Sequence, residues 1–219
     1  VLFRSTARCR KCILQVNKGN FRFKTNDLIL SKKEKENNFA LSCNTIPESN
    51  LELNCVDIGF KLEVPKIIPA KIDQIKFLNK HVIKLTLRTP PTNKLNFKSG
   101  QYVNIISGHI KRSYSIANSV KNDGKLEFYI KKYKSGLMSN YLFNNAKVGD
   151  LLRIDGPYGT FCYRESSKNN IIFLATGTGI APVISILNEL NSNILKKDIW
   201  IFNGNRNDEF SFYKSKFSK

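Results

Sequence analysis

Six short runs between Ala70 and Ile154 constrain the fold of this chain more than any other feature. They are Ala70–Leu78, Val82–Thr89, Gln101–Ser107, Arg112–Ala117, Leu126–Lys132 and Leu151–Ile154. Pro90-Pro91, Ser99-Gly100 and Asn122-Asp123-Gly124 punctuate them as turns. Alternation with period two puts one set of side chains on one face of a strand. Six such strands at this spacing predict an antiparallel barrel or sandwich.

The fourth run carries the most chemistry. In Arg112-Ser113-Tyr114-Ser115-Ile116-Ala117 a cation and a phenol ring share one face, and two hydroxyls share the other. A guanidinium grips phosphate bidentately, an aromatic ring stacks on a planar one, and a hydroxyl or amide meets a ring nitrogen. A flat, anionic ligand such as a flavin suits that set. Downstream, Gly136-Leu137-Met138-Ser139 leads into an expected helix, Asn140–Asn145, with Ser139 as N-cap. Free amides at that helix start would receive a pyrophosphate.

From Asn169 the texture changes. Ile171–Ala175 is a continuous apolar run, expected of a parallel strand buried on both faces. Thr176-Gly177-Thr178-Gly179-Ile180-Ala181-Pro182 follows, then an amphipathic helix of about Val183–Leu190, a second strand, Asp198–Phe202, and Asn203-Gly204-Asn205-Arg206. Strand, glycine turn, helix, strand is a doubly wound unit whose ligand sits at the carboxyl ends of the strands.

Phe97–Tyr102, Arg112–Ser115, Gly136–Ser139 and Gly156-Pro157-Tyr158-Gly159-Thr160, in that order, resemble the flavin domain of the ferredoxin-NADP reductase family. Thr176–Pro182 resembles that family's nicotinamide-binding turn. The resemblance implies FAD and NAD(P)H as cofactors. It also implies that Tyr114 stacks on the isoalloxazine, Ser115 meets its redox edge, Arg112 holds the pyrophosphate, the Gly136, Met138 and Ser139 turn holds the phosphates, Ser113 belongs to the same cofactor-binding stretch, and Arg206 lies near the nucleotide's ribose and phosphate.

Cys9 and Cys12, with two residues between them and followed by Leu41-Ser42-Cys43, resemble the last three ligands of a plant-type ferredoxin domain with a 2Fe-2S cluster. The first ligand position falls on Arg4, which cannot bind iron. Two readings stand: a degenerate cluster loop, or a domain without a cluster. Cys55, in an alternating run, reads as a small buried hydrophobe. The expected architecture is thus multidomain. It comprises a partial β-grasp ferredoxin domain (1–63), a six-stranded antiparallel β-barrel flavin domain (66–163) after the linker Val64–Pro69, and a truncated α/β nucleotide domain (168–219).

The 219 residues carry a net charge of +19, of which residues 61–160 supply 18 − 6 = +12. Lysines are spread singly among apolar residues, without a block of like charge, so nucleic acid is not an expected partner. No apolar run reaches the 18 residues of a membrane span. Five cysteines, an odd number, without a secretory leader suggest a cytoplasmic chain. A start at Val1 and a short nucleotide domain suggest a fragment. His81 and His109 read as surface or turn residues, and Cys162 as packing.

The resemblance implies an NAD(P)H-dependent oxidoreductase that passes electrons through FAD, and through the cluster where it forms, to a partner protein. That partner is a dehydratase, as for the reductases of deoxysugar synthesis that the wording of Gly136–Phe143 and Leu151–Pro157 most resembles, or an oxygenase component. A non-catalytic fragment that at most binds flavin is the competing expectation.

Overall fold

A computed structural model describes residues 10, 12–25, 29–54, 61–121, 123–164, 170–190 and 198–213. Its chain forms two units, residues 1–60 and 61–219. Among the described residues no helix is long and apolar enough to cross a membrane.

The first unit holds β1 (Ile13–Lys18), β2 (Phe21–Phe23), α1 (Lys32–Glu36), β3 (Phe39–Leu41), β4 (Thr45–Pro47) and β5 (Glu52–Asn54). The strands make a sheet of order β3-β1-β5 and a separate β2-β4 pair. One turn of helix persists at α1 because Ser31 and Glu34 form a reciprocal capping box, and Arg10 binds the same Glu34 carboxylate. That hydrogen bond, with those from Ser31, lowers the Glu34 carboxyl to about 2. Cys12, Leu30 and Leu41 are its packed centre.

The second unit begins with β6 (Lys66–Asn79), β7 (Val82–Arg88), β8 (Tyr102–Ser107), β9 (Ile110–Ser115), β10 (Lys125–Lys131), α2 (Leu137–Asn144) and β11 (Leu151–Tyr158). These strands form one antiparallel sheet of order β10-β7-β6-β11-β8-β9. All six expected strands are present. The expected barrel is a curled sheet: its edges β9 and β10 share no ladder, and the chain after β9 meets β10 through Ala117 N–H donating to Glu127 C=O at 2.8 Å. Ile72, Ile83, Leu85, Leu87, Ile105, Phe128 and Ile130, all fully buried, fill the concave side. Alternation is clear on β10, where Leu126, Phe128 and Ile130 are buried and the residues between them are not.

One expectation about the linker is corrected. Its second half, Lys66–Pro69, is already strand, paired with Gly156–Arg153 of β11. Pro69 is tolerated because β7 pairs with β6 only from Lys71 onward, so no neighbour on that side needs its missing N–H.

The chain continues as β12 (Ile171–Thr176), a 3₁₀ turn (Gly177–Ile180), α3 (Ala181–Glu189) and β13 (Ile199–Gly204). β12 and β13 are parallel, from Ile171 opposite Ile199 to Thr176 opposite Gly204. The helix buries Val183, Ile184 and Ile186 against Phe173 and Ile180. Burial on both faces was expected and occurs on one. Ile172, Leu174, Trp200 and Phe202 on the other face are 60, 78, 47 and 59% exposed, because no described element covers them.

Candidate functional site

Beside β9, β10 and the start of α2 lies a cavity of about 400 Å³. β9 contributes Arg112, Ser113 and Tyr114, β10 and its extension Tyr129, Lys131 and Tyr133, the helix start Gly136, Met138 and Ser139, and the nucleotide turn Thr178. Its volume is in the range of small-molecule sites. Arg112 and Tyr114 lie two apart on one face, as alternation requires. Burial pushes the Tyr114 phenol up to about 12 against the opposing pull of Arg112, so it is a neutral ring at physiological pH. Arg112 Nη1 donates to the Lys111 carbonyl at 2.8 Å.

Three details differ from the sequence reading. The helix starts at Leu137 with Gly136 as N-cap, because Ser139 Oγ is turned back to donate to Gly136 C=O (3.0 Å) and accept from Tyr133 N–H (3.2 Å). The first intrahelical bond is Asn140 N–H to Gly136 C=O at 2.8 Å, which leaves the Leu137, Met138 and Ser139 amides without helical partners. A Cβ at Gly136 would sit 2.5 Å from Ser139 Oγ, so only glycine closes this turn without moving that serine. Ser113 spends its hydroxyl on Asn104 Oδ1 at 2.7 Å, and Ser115, opposite Tyr102 in register, is outside the cavity lining.

That Ser113 bond belongs to a network that braces β9. Asp155, buried on β11, accepts from Lys111 Nζ (2.6 Å), Asn104 Nδ2 (3.1 Å) and Tyr158 Oη (2.5 Å). Burial raises the Asp155 carboxyl, but the Lys111, Tyr158 and Asn104 bonds outweigh it and hold the group below its usual range. Nothing local in the sequence links these residues. Tyr129, Lys131 and Tyr133 were also missed, although alternation with the buried Phe128 and Ile130 marks them as the opposite face.

Of the nucleotide turn, Thr178 reaches the cavity. Thr176, Gly177 and Gly179 stand beside it, and a Cβ on either glycine would meet nothing within 4 Å, so space lies before the turn. Pro182 is in the first turn of α3, and Arg206 is exposed past the end of β13. The side-chain oxygens of Asn203 and Asn205 at the carboxyl end of β13 are buried and lack a hydrogen-bond partner among the described residues. Such orphans suit a polar ligand.

Direct packing holds α3 and the chain after β13 against the six-stranded sheet. Ser185 Oγ, on α3 and fully buried, donates to Asn118 C=O at 2.6 Å. At Gly100 (φ +99°) a Cβ would lie 1.8 Å from the Phe161 carbonyl and 3.1 Å from Ile186. His81, expected at the surface, stacks on Phe210 with centroids 4.3 Å apart, and Asn79 donates to Glu209 C=O at 3.0 Å. Cys162 is a packing thiol, pushed up to about 11 by burial.

In the first unit Cys12 and Cys43 bring their sulfurs to 3.3 Å. Two thiolates on one tetrahedral metal ion at about 2.3 Å would be separated by about 3.8 Å, so shared ligation would need the pair to open by about 0.5 Å. Cys9, Arg4 and Cys55 lie outside the described residues, within which no group of three or more His, Cys, Asp or Glu could hold a metal.

Residues 69–163 match the oxidoreductase FAD-binding domain and residues 173–219 the oxidoreductase NAD-binding domain. The chain is 37% identical over 179 residues to the CDP-6-deoxy-L-threo-D-glycero-4-hexulose-3-dehydrase reductase of Yersinia pestis, covering 80% of this chain and 53% of the relative. It therefore spans about half the length of that curated relative. Among solved structures, the ferredoxin reductase in carbazole 1,9a-dioxygenase superposes with a TM-score of 0.67 at 26% identity, over 95% of this chain and 63% of the other. The ferredoxin-NADP+ reductase from Plasmodium falciparum does so at 0.58 and 29%, over 68 and 62%. The cavity, the turn that enters it and these likenesses agree: the chain belongs to the ferredoxin-NADP reductase family of FAD- and NAD-binding oxidoreductases.

Proposed function

We propose that this chain is the flavin- and nicotinamide-binding part of an NAD(P)H-dependent electron-transfer reductase of the CDP-6-deoxy-3,4-glucoseen reductase type. The observation that carries this is the cavity in which Thr178 of the nucleotide turn meets Arg112, Tyr114 and the start of α2. When bound, FAD accepts hydride from NAD(P)H and releases electrons singly. Arg112 and the Leu137–Ser139 amides would hold its diphosphate, supplying positive charge and free N–H donors. Tyr114, neutral and ordered by packing on the sheet core, offers a flat face. Thr178 positions the nicotinamide, while Asn203 and Asn205 supply acceptors to its nucleotide.

Residues 1–63 act as a ferredoxin-like domain, with Cys9, Cys12 and Cys43 as the thiolates for a 2Fe-2S cluster and the electron exit to a dehydratase partner in the cytoplasm. An oxygenase component is the second reading for that partner, supported by the likeness to the reductase of carbazole 1,9a-dioxygenase.

The test is an absorbance spectrum of the purified chain after FAD addition, followed by anaerobic NADH. A protein-bound flavin band that bleaches with NADH is expected, and a chain that retains no flavin overturns the proposal. Reconstitution with iron and sulfide tests the cluster separately. A broad iron-sulfur absorption that Cys43→Ser abolishes is expected.

A further inference from the structure

Cys12 and Cys43 are 31 residues apart, and the backbone around them is pinned. Cys12 directly precedes β1 and Cys43 lies in the 3₁₀ turn after β3. Ile13 pairs with Leu41 in the ladder, and Ser42 N–H donates to Cys12 C=O at 3.0 Å. The ladder therefore holds the two sulfurs in contact at 3.3 Å. Their surroundings are apolar: Leu30 and Leu41 are buried beside them, with Ile13, Phe23 and Phe39 packed around. Access is unequal, since Cys12 is buried and Cys43 half-buried.

A disulfide has its sulfurs about 2.0 Å apart, so closure takes about 1.3 Å of further approach. We propose that Cys12 and Cys43 form an exchangeable disulfide, a two-electron thiol–disulfide site whose oxidant is a small-molecule disulfide.

The more accessible Cys43 thiolate attacks one sulfur of the external disulfide. That bond breaks, one small thiolate leaves, and a mixed disulfide forms on Cys43. The Cys12 thiolate then attacks the Cys43 sulfur, the second small thiolate leaves, and the Cys12–Cys43 bond forms. Two protein thiols are oxidised, one external disulfide is reduced to two thiols, and the two protons lost by the cysteines are taken up by the leaving thiolates. The oxidised pair is closed to metal, because ligation requires thiolates. The exchange belongs to the metal-free chain, because a loaded cluster would occupy both sulfurs.

The test equilibrates the metal-free full chain across ratios of oxidised to reduced glutathione, quenches with acid, alkylates, and maps the cysteines by mass spectrometry. A Cys12–Cys43 linked peptide is expected at the oxidising end and two alkylated thiols at the reducing end. With Cys12→Ser, Cys43 should stop as its glutathione adduct, since no second thiol resolves it. The proposal is overturned if both thiols stay free at the oxidising end, if Cys12 is bridged to Cys9 instead, or if Cys12→Ser leaves Cys43 without adduct. The readout is a bond map, so failure of cluster or flavin binding cannot imitate any of these results.

Discussion

β10 and β12 are both apolar-rich strands of the same unit, yet their burial differs. On β10 every second residue is buried and those between them carry the polar and site-facing groups. β12 is apolar at nearly every position, but Ile172 and Leu174 are left exposed while Phe173 is covered by α3. Alternation states which face is inside. A continuous apolar run states only that both faces can be covered, and leaves the covering to other elements. The sharpest way to break the comparison is to shorten one side chain on each strand. Phe128→Ala should cost about 3–5 kcal/mol, because it empties the centre of the concave core. Urea denaturation measures this, and a cost below about 1 kcal/mol would mean that the sheet is not packed as described.

Arg112→Ala comes next, probing what the sheet's polar side does. It should weaken FAD retention by ten- to a hundredfold, the scale of a hydrogen bond to a charged group of about 1.5–3 kcal/mol. Arg206→Ala, on an exposed residue after β13, should change it less than about twofold on the scale of exposed charges. FAD titration followed by fluorescence compares them, and equal losses would move the diphosphate away from Arg112.

Asp155→Asn should cost about 1–2 kcal/mol at neutral pH, since the Lys111, Tyr158 and Asn104 bonds favour the ionised carboxylate. A carboxyl held low in the folded state contributes stability above its unfolded pKa of about 3.9 and loses it as pH falls through the folded value. The gap between parent and variant urea midpoints should therefore be constant from neutrality to about pH 5 and shrink below about pH 4. A gap independent of pH would remove Asp155 from the ionised network.

The smallest effect belongs to the open face of β12. Leu174→Ser, at a residue 78% exposed, should change stability by no more than about 0.5 kcal/mol. A loss near that of Phe128→Ala would show that this face is covered in solution.

The strands and the Arg112/Tyr114 pair were legible because period two and a sheet face are local properties. The helix start was misplaced by three residues because Ser139 had two uses, N-cap or back-bond, and only the neighbouring Tyr133 amide decided between them. Asp155 with Lys111, and Ser185 with Asn118, join positions 44 and 67 apart, a distance at which sequence carries no pairing signal. The orphaned oxygens of Asn203 and Asn205 were invisible for a different reason, since burial without a partner is a property of the folded surroundings.

The Ser185–Asn118 bond has a consequence for recombination between homologues. A hydroxyl with no exposure finds its acceptor in the main chain of the other half, and Ile186 packs beside Gly100, which the Phe161 carbonyl already keeps bare. A graft of residues 170–213 from another protein onto this flavin sheet would inherit neither match automatically. A main-chain acceptor is present whatever residue stands at 118, so such a chimera should need a hydroxyl at 185 and a side chain at 186 that packs beside Gly100.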